Sequence, residues 1–272
     1  MSEAPEIVLT NDDGIDSPGL RALYDGLAEV GDVTVVAPAD DQSAVGRSIS
    51  SEVSVRDHEL GYAVEGTPAD CVVAAMGELG PDPDPDLVVA GCNHGANLGE
   101  YAIGRSGTVS AAVEAAFFDV PAIASSLYVP IDEYGTGELT REDFREAVRA
   151  TCYLVERTQH VDVFDPAAYL NVNAPVPDGD PAPLELTRPS SRYEMDATLN
   201  GDSIALQDRI WERMDPDTLP DPEGTDRRAV VEGRVSVSPL RVPQANAHHD
   251  GLDAVVEEYR EDTLETASQR SR

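Results

Sequence analysis

Side chains that suit a hard metal ion follow three separate apolar runs of the sequence. Asp12 and Asp13 come directly after IVLT. Ser43 follows VTVVAP, and Asn93 follows LVVAG. Oxygen ligands from Asp, Ser and Asn suit Mg²⁺, Mn²⁺ or Ca²⁺ rather than zinc. The sequence therefore predicts a site for one divalent ion where these three segments meet.

The acidic pair has an alternative interpretation as an ordinary turn. Asp tolerates tight loops, and the following Gly14 can adopt a positive φ. Taken alone, the pair would favour the turn. However, Asp12 and Asp13 directly follow a predicted buried strand, where their mutual repulsion is unfavourable unless a cation relieves it. This position favours the metal site.

A Gly-rich stretch from residue 91 to residue 107 leads into a predicted helix. Ser106, Gly107 and Thr108 place small residues, hydroxyls and backbone N–H groups at the start of that helix, which predicts an anion site. The alternative is close packing against the sheet, which the four alanines within residues 111–116 also indicate. Both interpretations hold for one helix if its end binds phosphate and its flank packs.

The histidines are weaker candidates for catalytic or metal-binding residues than the oxygen ligands. His94 lies beside Asn93, and its position fits a general acid, a metal ligand or a solvated loop residue equally well. His248 and His249 have no companions at the spacing of a zinc site, so we interpret them as tail residues.

The predicted ligands need a scaffold that brings strand ends together, and the apolar pattern predicts one. Short β-branched runs alternate with helical patterns, which indicates a mostly parallel α/β sheet covered by helices. Ser17 followed by Pro18 predicts a helix start soon after the first strand. In such sheets, ligands bind beyond the carboxyl ends of the strands. The predicted strands are 7–10, 33–37, 87–90, 122–125 and 169–172, and the predicted later helices are 109–117 and 141–158.

The pattern changes near residue 178. Prolines punctuate the chain there, and β-rich segments at 203–209 and 229–240 favour extended hairpins that reach a neighbouring subunit. We predict a catalytic core at 1–177, a hairpin-rich oligomerisation extension with a C-terminal helix at 178–260, and a disordered tail at 261–272.

Charge excludes several kinds of partner. The chain has 19 basic and 52 acidic residues, and 19 − 52 gives a net charge of −33. Every basic side chain other than histidine is arginine. Such a surface repels nucleic-acid polymers and anionic membranes, which require clustered basic residues. Acidic residues interleaved with apolar runs, without lysine, indicate a folded protein from a halophilic source.

Cysteine usage and the amino terminus point to the cytoplasm. Cys71, Cys92 and Cys152 form no CxxC pair and lie among apolar residues, so we expect reduced structural thiols. The segment MSEAPEIVLT has no basic region typical of a signal peptide, and no apolar run approaches the length of a membrane span.

Seven sequence blocks carry a resemblance to a known family. In order they are LTNDDGIDSPGL, APADDQSAVGRSIS, GTPADCV, GCNHGANLG, RSGTVSAAVEAA, YLNVNAP and VVEGRVSVSPL. Across residues 6–242 this order resembles the SurE family of survival-protein nucleotidases. The resemblance implies a Rossmann-like core with a β-hairpin extension. It also implies 5′- or 3′-nucleotidase activity on nucleoside monophosphates, one Mg²⁺ or Mn²⁺ ion, and a homodimer or homotetramer.

The resemblance also implies roles for individual residues. Asn11 would orient the acidic pair, and Asp12 and Asp13 would be catalytic. The chain departs from the family pattern at Ala44, at Ala90 and Cys92, and at Arg105, which adds a cation near the phosphate site. The implied metal ligands are Asp12, Asp13, Ser43 and Asn93, and the implied phosphate contacts are Asn97, Ser106, Gly107 and Thr108.

Alternatives remain open on the sequence. A carboxylate of the acidic pair can attack phosphorus or activate water. A haloacid-dehalogenase-type phosphatase would need a D-x-D spacing that the first loop lacks. A non-catalytic nucleotide- or phosphate-sensing module has no use for two carboxylates beside the anion. The preferred base, sugar and phosphate position are not encoded in these motifs.

Overall fold

A computed structural model of the chain describes residues 4–82, 84–131, 137–158, 163–165, 168–242 and Glu257. The residues Met1–Val242 form one compact unit, and Pro243–Arg272 form a second. The predicted tail, His248 and His249 lie outside the described residues, as does the predicted C-terminal helix apart from Glu257.

Eleven strands are present in the described residues. In chain order they are β1 (Glu6–Thr10), β2 (Asp32–Pro38), β3 (Ser54–His58), β4 (Gly61–Glu65), β5 (Leu87–His94), β6 (Ala122–Tyr128), β7 (Tyr169–Pro175), β8 (Leu184–Leu186), β9 (Met195–Asn200), β10 (Ser203–Asp208) and β11 (Val235–Leu240). Nine form one sheet in the order β3-β4-β2-β1-β5-β6-β7-β11-β8. The six neighbouring strands β4-β2-β1-β5-β6-β7 of this order pair in parallel, which confirms the predicted α/β fold.

The helices cover both faces of this sheet. They are α1 (Pro18–Leu27), α2 (Pro68–Ala75), α3 (Glu100–Ile103), α4 (Gly107–Phe117), α5 (Arg145–Thr158) and α6 (Asp226–Val231). Short 3₁₀ turns occupy Arg141–Phe144 and Arg209–Arg213. Ser17 caps α1 by accepting a hydrogen bond from the Leu20 N–H, as the Ser-Pro pair predicts.

The core lies in two layers, one on each face of the sheet. Ile7 and Leu9 of β1 join the layer beneath α1 and α5, whereas Val8 joins the layer beneath α2 and α4. This alternation follows from the pleat, since successive side chains of a strand point to opposite faces. Burial on both faces explains why the central strands are continuous apolar runs.

Strand β1 is the point at which the strand order reverses. The chain passes from β1 to β2 on one side and then returns to place β5 on the other side. In open α/β sheets, the crevice at such a point is where ligands bind. The segments after β1, β2 and β5 therefore meet at one end of the sheet.

Two predicted boundaries were wrong. The predicted loop from residue 91 begins later, because β5 continues through His94 with a bulge between Ala90 and Asn93. The predicted strand at 229–240 begins instead as helix α6, whose first residue, Asp226, accepts buried hydrogen bonds from the Gly99 and Ser190 N–H groups. Gly233, at φ +74°, ends the helix before β11.

The region after residue 178 contributes to both sheets. Strands β8 and β11 extend the main sheet beyond β7, and β9 and β10 form a separate antiparallel hairpin. The hairpin carries exposed apolar side chains at Leu199, Ile204 and Leu206. The hairpin extension is thus present. Its predicted role in oligomerisation and the predicted division after residue 177 stay predictions.

The three cysteines are free thiols, and Cys71 and Cys92 are fully buried. Burial raises the pKa of Cys92 to about 12 and that of Cys152 to about 11. In the part of the chain that the structure describes, no helix has the length and apolar character needed to cross a membrane.

Candidate metal and phosphate site

The segments after β1, β2 and β5 enclose a cavity of about 340 Å³ together with the start of α4. Asp13, Gly107 and Thr108 lie next to this cavity rather than on its lining. Five of the predicted site residues line it: Asp12, Ser43, Asn93, Asn97 and Ser106. Residues far apart in sequence therefore meet where the strand order predicts.

Asp12 is held at both carboxylate oxygens by Thr108. The Thr108 hydroxyl donates to Oδ1 at 2.6 Å, and the Thr108 backbone N–H donates to Oδ2 at 3.1 Å. Both side chains are buried. Thr108 is a predicted phosphate contact, but its two donors point at Asp12. In this structure it fixes the orientation of the carboxylate.

The first residues of α4 fit closely around Asp12. Ser106 caps the helix, and its hydroxyl accepts from the Val109 N–H at 3.0 Å. A Cβ at Gly107 would lie 2.8 Å from Asp12 Cβ and 2.9 Å from Oδ2, closer than real Cβ contacts. Three consecutive residues therefore have separate roles. Ser106 caps α4, Gly107 allows the helix to approach Asp12, and Thr108 orients the Asp12 carboxylate.

Asp13 faces the other side of the same loop. Its Oδ2 accepts a hydrogen bond from the His94 backbone N–H at 2.8 Å. Asp13 and His94 line a neighbouring cavity of about 670 Å³, and His94 also lines the first cavity. The backbone of His94 thus positions Asp13, and burial lowers the pKa of the His94 imidazole.

Burial and like charge raise the pKa values of both carboxyl groups. Burial raises the pKa of Asp12 in spite of the two hydrogen bonds from Thr108. For Asp13, burial and then the charge of Asp12 raise the pKa to about 7. Asp41 adds a smaller repulsion to each. One buried and one partly buried carboxylate that repel each other are an environment that a cation would stabilise.

Ser43 and Asn93 complete an oxygen-rich set of potential ligands. The Ser43 hydroxyl donates to Asp41 Oδ1 at 2.6 Å, which leaves its oxygen lone pairs for a ligand. The Asn93 amide nitrogen donates to the Gly95 carbonyl, so its side-chain oxygen is the atom left for coordination. This donor set fits Mg²⁺ or Mn²⁺. Among the described residues no three His, Cys, Asp or Glu side chains are grouped to hold an ion.

Asparagines on β7 anchor the loop that follows β5. The Asn97 N–H donates to Asn173 Oδ1 at 2.8 Å, and Asn171 Nδ2 donates back to the Asn97 carbonyl at 2.9 Å. The Asn97 side chain donates to Ser126 Oγ at 3.0 Å. The alternation in YLNVNAP therefore places polar side chains under the site, a role that the sequence reasoning missed.

Asn11 holds the loop that carries the acidic pair. Its amide nitrogen donates to the Gly14 carbonyl at 2.9 Å and to Ser17 Oγ at 2.8 Å. These bonds tie the end of β1 to the start of α1. Asn11 therefore acts on the pair through the backbone.

Sequence reasoning also missed the far wall of the cavity. Met195, Asp208 and Trp211 line it from the base of the hairpin and the 3₁₀ turn that follows. Arg105, which the sequence placed near the phosphate site, also lines the cavity, with its guanidinium 5.4 Å from the Tyr101 ring centroid. No sequence signal linked residues 195–211 to the acidic pair, because only the folded path of the hairpin brings them close.

The fold and the site define a class of protein. Parallel α/β sheets with polar strand ends and a helix amino terminus at the switch point are typical of proteins that bind phosphorylated ligands. The family model "Survival protein SurE" matches residues 7–196, and the chain belongs to this family.

Relatives match this chain over nearly their full lengths. The "5′-nucleotidase SurE" of Natronomonas pharaonis is 63% identical, over 93% of this chain and 99% of the relative. The protein of the same name in Haloarcula marismortui is 60% identical, over 96% of this chain and 97% of the relative. The crystal structure of the SurE protein from Aquifex aeolicus is 33% identical with a TM-score of 0.74, and the match covers 89% of this chain and 95% of that one. The first two relatives come from halophilic archaea, as the charge predicts.

Proposed function

We propose that this chain is a metal-dependent 5′-nucleotidase that hydrolyses nucleoside 5′-monophosphates, and also 3′-monophosphates, to nucleoside and phosphate. One observation carries the proposal: at the switch point Thr108 holds Asp12 against the amino terminus of α4, and the His94 N–H holds the adjacent Asp13. The relatives named 5′-nucleotidase support the substrate class. Nothing favours the non-catalytic sensing module.

In this proposal one Mg²⁺ or Mn²⁺ ion is held by the four oxygen donors of the site. When bound, the ion supplies Lewis-acid polarisation of a phosphoryl oxygen and neutralises developing charge. Thr108 keeps the carboxylate of Asp12 in one orientation, and the His94 N–H does the same for one oxygen of Asp13. The implied ligands are Asp12, Asp13, Ser43 and Asn93.

The phosphate lies at the amino terminus of α4. Asn97 and Ser106 line the cavity beside the helix end, and Arg105 supplies a positive charge on the same wall. The aligned peptide dipoles of α4 favour an anion there. Gly107 allows the helix end to approach, and Thr108 contributes through Asp12.

Asp13, unlike Asp12, has a carboxylate oxygen that is available to accept a proton. No described residue donates a hydrogen bond to its Oδ1, whereas Thr108 occupies both oxygens of Asp12. Asp13 is therefore the proposed general base, which accepts a proton from the attacking water. The new bond joins the water oxygen to phosphorus, and the bond from phosphorus to the ribose oxygen breaks. The ribose oxygen gains a proton from solvent, to which Asp13 returns the proton that it accepted.

The test is phosphate release from a panel of phosphomonoesters, with Mn²⁺, with Mg²⁺ and with EDTA, at low and molar KCl. We expect release only with metal, and a loss of more than about a hundredfold in Asp12→Asn and Asp13→Asn. Asp16→Asn, in the same loop but exposed, is the matched control and should keep most activity. Equal turnover with Mn²⁺ and EDTA would refute the metal dependence.

We further propose that the active protein is a homodimer or homotetramer in the cytoplasm that binds no nucleic-acid polymer. The exposed apolar hairpin supports assembly, and the charge of −33 opposes binding to a polyanion.

A further inference from the structure

A second, apolar cavity adjoins the cavity at the metal and phosphate site. It measures about 290 Å³, and its lining includes Val129 and Ile131. Gly95, Ala96 and Trp211 line both cavities, so the two meet along this shared wall. A ligand whose phosphate lies near α4 therefore has an apolar compartment within reach. The volumes are in the range of small-molecule sites.

Trp211 separates a hydrophobic cluster from the cavities. On one side it packs against the cluster of Leu98, Tyr128 and Val230, which fixes the position of the indole. It is only partly buried, and it lines both cavities. A held aromatic ring beside an apolar space is the arrangement on which a planar base stacks.

Asp208 supplies an unsatisfied acceptor on the same wall. Its Oδ1 accepts from the Ile210 N–H at 3.1 Å, but its Oδ2 is buried and receives no hydrogen bond from any described residue. A buried acceptor without a donor is destabilising. A ligand N–H at this wall would satisfy it.

We propose that Trp211 and Asp208 form a nucleobase subsite, with the base stacked on the indole and one of its N–H groups donated to Asp208. The inference rests on the proposed function, because the phosphate end of the nucleotide must lie at the metal loops. It assigns the base of the β9–β10 hairpin a part in substrate recognition. A sugar phosphate without a base would leave both residues without their contacts.

Trp211 is the only tryptophan of the chain, so its fluorescence reports on this subsite directly. With Mg²⁺ and molar KCl, read before turnover proceeds, we expect adenosine, guanosine, cytidine or uridine monophosphate to quench the emission, and ribose 5-phosphate to leave it unchanged. Emission that no nucleotide alters up to millimolar concentration would overturn the proposal. So would equal quenching by ribose 5-phosphate.

Turnover separates this inference from the proposed function. We measure the ratio of kcat/KM for the best nucleotide to kcat/KM for ribose 5-phosphate. In Trp211→Leu we expect the ratio to fall at least about fivefold, with most of it retained in Trp211→Phe. Asp208→Asn should lower it as well. Tyr153→Leu, an exposed aromatic on α5 outside both cavities, is the control and should leave it unchanged.

Melting curves establish that each variant is folded. An unchanged ratio in folded Trp211→Leu would overturn the subsite while leaving the nucleotidase intact. Absence of phosphate release from every substrate in wild type would instead refute the proposed function, and the fluorescence titration would still decide whether a base binds at Trp211.

Discussion

At the scale of single residues, the site depends on how Asp12 is held as well as on its charge. Thr108 lies 96 positions from Asp12 in the sequence and donates two hydrogen bonds to its carboxylate, one from the hydroxyl and one from the backbone N–H. A carboxylate fixed in this way loses little orientational freedom when it binds an ion, because its direction is already set. Thr108 is therefore a positioning residue in the proposed mechanism.

Replacing Thr108 tests that role. In Thr108→Val, which removes the hydroxyl donor, we expect the affinity for Mn²⁺ to fall roughly tenfold, since hydrogen bonds to charged groups contribute about 1.5–3 kcal/mol. Thr108→Ser should restore it. Calorimetric titration with Mn²⁺, without substrate, measures the effect apart from turnover. Equal affinities in wild type and Thr108→Val would contradict the positioning role.

Asp13 should destabilise the metal-free protein at neutral pH. Its pKa is raised from an ordinary 3.8 to about 7, so the folded state disfavours the charged form. The penalty is absent below the ordinary pKa, grows between about pH 4 and pH 7, and is complete above that range. Asp13→Asn removes it. We expect the variant to exceed wild type by about 1–4 kcal/mol at pH 8 and by much less at pH 5, in EDTA.

Denaturant unfolding at several pH values measures this difference, and the comparison cancels the carboxylates that do not interact with Asp13. Asp16→Asn is the control of opposite sign. Its hydrogen bond from Arg21 lowers the pKa of Asp16, so the substitution should lower stability above the ordinary pKa. If Asp13→Asn were less stable than wild type at pH 8, the pair would be a structural turn and the predicted metal site would lose its main support.

Sequence reasoning located the ligand-bearing segments because each follows a buried strand, and strand ends meet by topology. It could not assign partners within the site. The bond from Thr108 to Asp12, and the approach of Trp211, depend on side-chain directions between elements about a hundred residues apart. Such directions are set by packing, which no local pattern records.

At the scale of elements, helix α4 and the loop after β1 are matched in shape. The close approach at Gly107 leaves no room for a methyl group. In Gly107→Ala we expect a loss of about 1–3 kcal/mol in unfolding free energy and of most phosphate release, because Asp12 must move. Gly77→Ala is the control, since a Cβ there meets nothing closer than 3.7 Å. Full activity in Gly107→Ala would show that Asp12 needs no fixed position.

The helices and strands differ in how readily the sequence predicts them. Parallel strands buried on both faces contain apolar runs, so β1, β2 and β5 were predictable. Strands β6 and β7 were also predicted, in spite of their buried Ser and Asn side chains. Strands β3 and β4 and helix α2 were missed, although Thr67 and Asp70 form a capping box that marks the start of α2. The last three residues of helix α6 were predicted as strand because Val230 and Val231 are β-branched. A buried hydrogen bond from the Gly99 N–H to Asp226 at the start of the helix overrides that propensity.

At the scale of the whole molecule, the hairpin of β9 and β10 extends an apolar surface into solvent. Leu199 is 72% exposed, and Ile204 and Leu206 are comparably exposed. In the variant Leu199→Ser with Leu206→Ser, we expect a smaller mass by light scattering at unchanged melting temperature, because these side chains contribute little to the described core. Leu186→Ser, on β8, is the control. A variant that keeps the mass of wild type would remove the hairpin from the assembly interface.

Net charge makes the stability of the whole chain depend on salt. A charge of −33 on 272 residues repels itself in the compact state, and the repulsion acts over distances that molar salt screens. The ion pairs are mainly exposed, such as Arg141 with Asp25 and Arg209 with Asp196, so screening them removes little stabilisation. The relief of repulsion should therefore exceed the loss of attraction.

Added salt should therefore stabilise the folded chain. We expect the melting temperature to rise steadily from 0.1 M to about 2–3 M KCl, and phosphate release to rise with it until the chain is fully folded. Exchanging five exposed acidic residues for lysine, far from the site, should flatten that rise because it lowers the repulsion that salt must screen. Thermal melts of both proteins across KCl concentrations measure the two slopes. A wild-type melting temperature that stays level or falls with KCl would rule out charge repulsion as the main cause of instability at low salt.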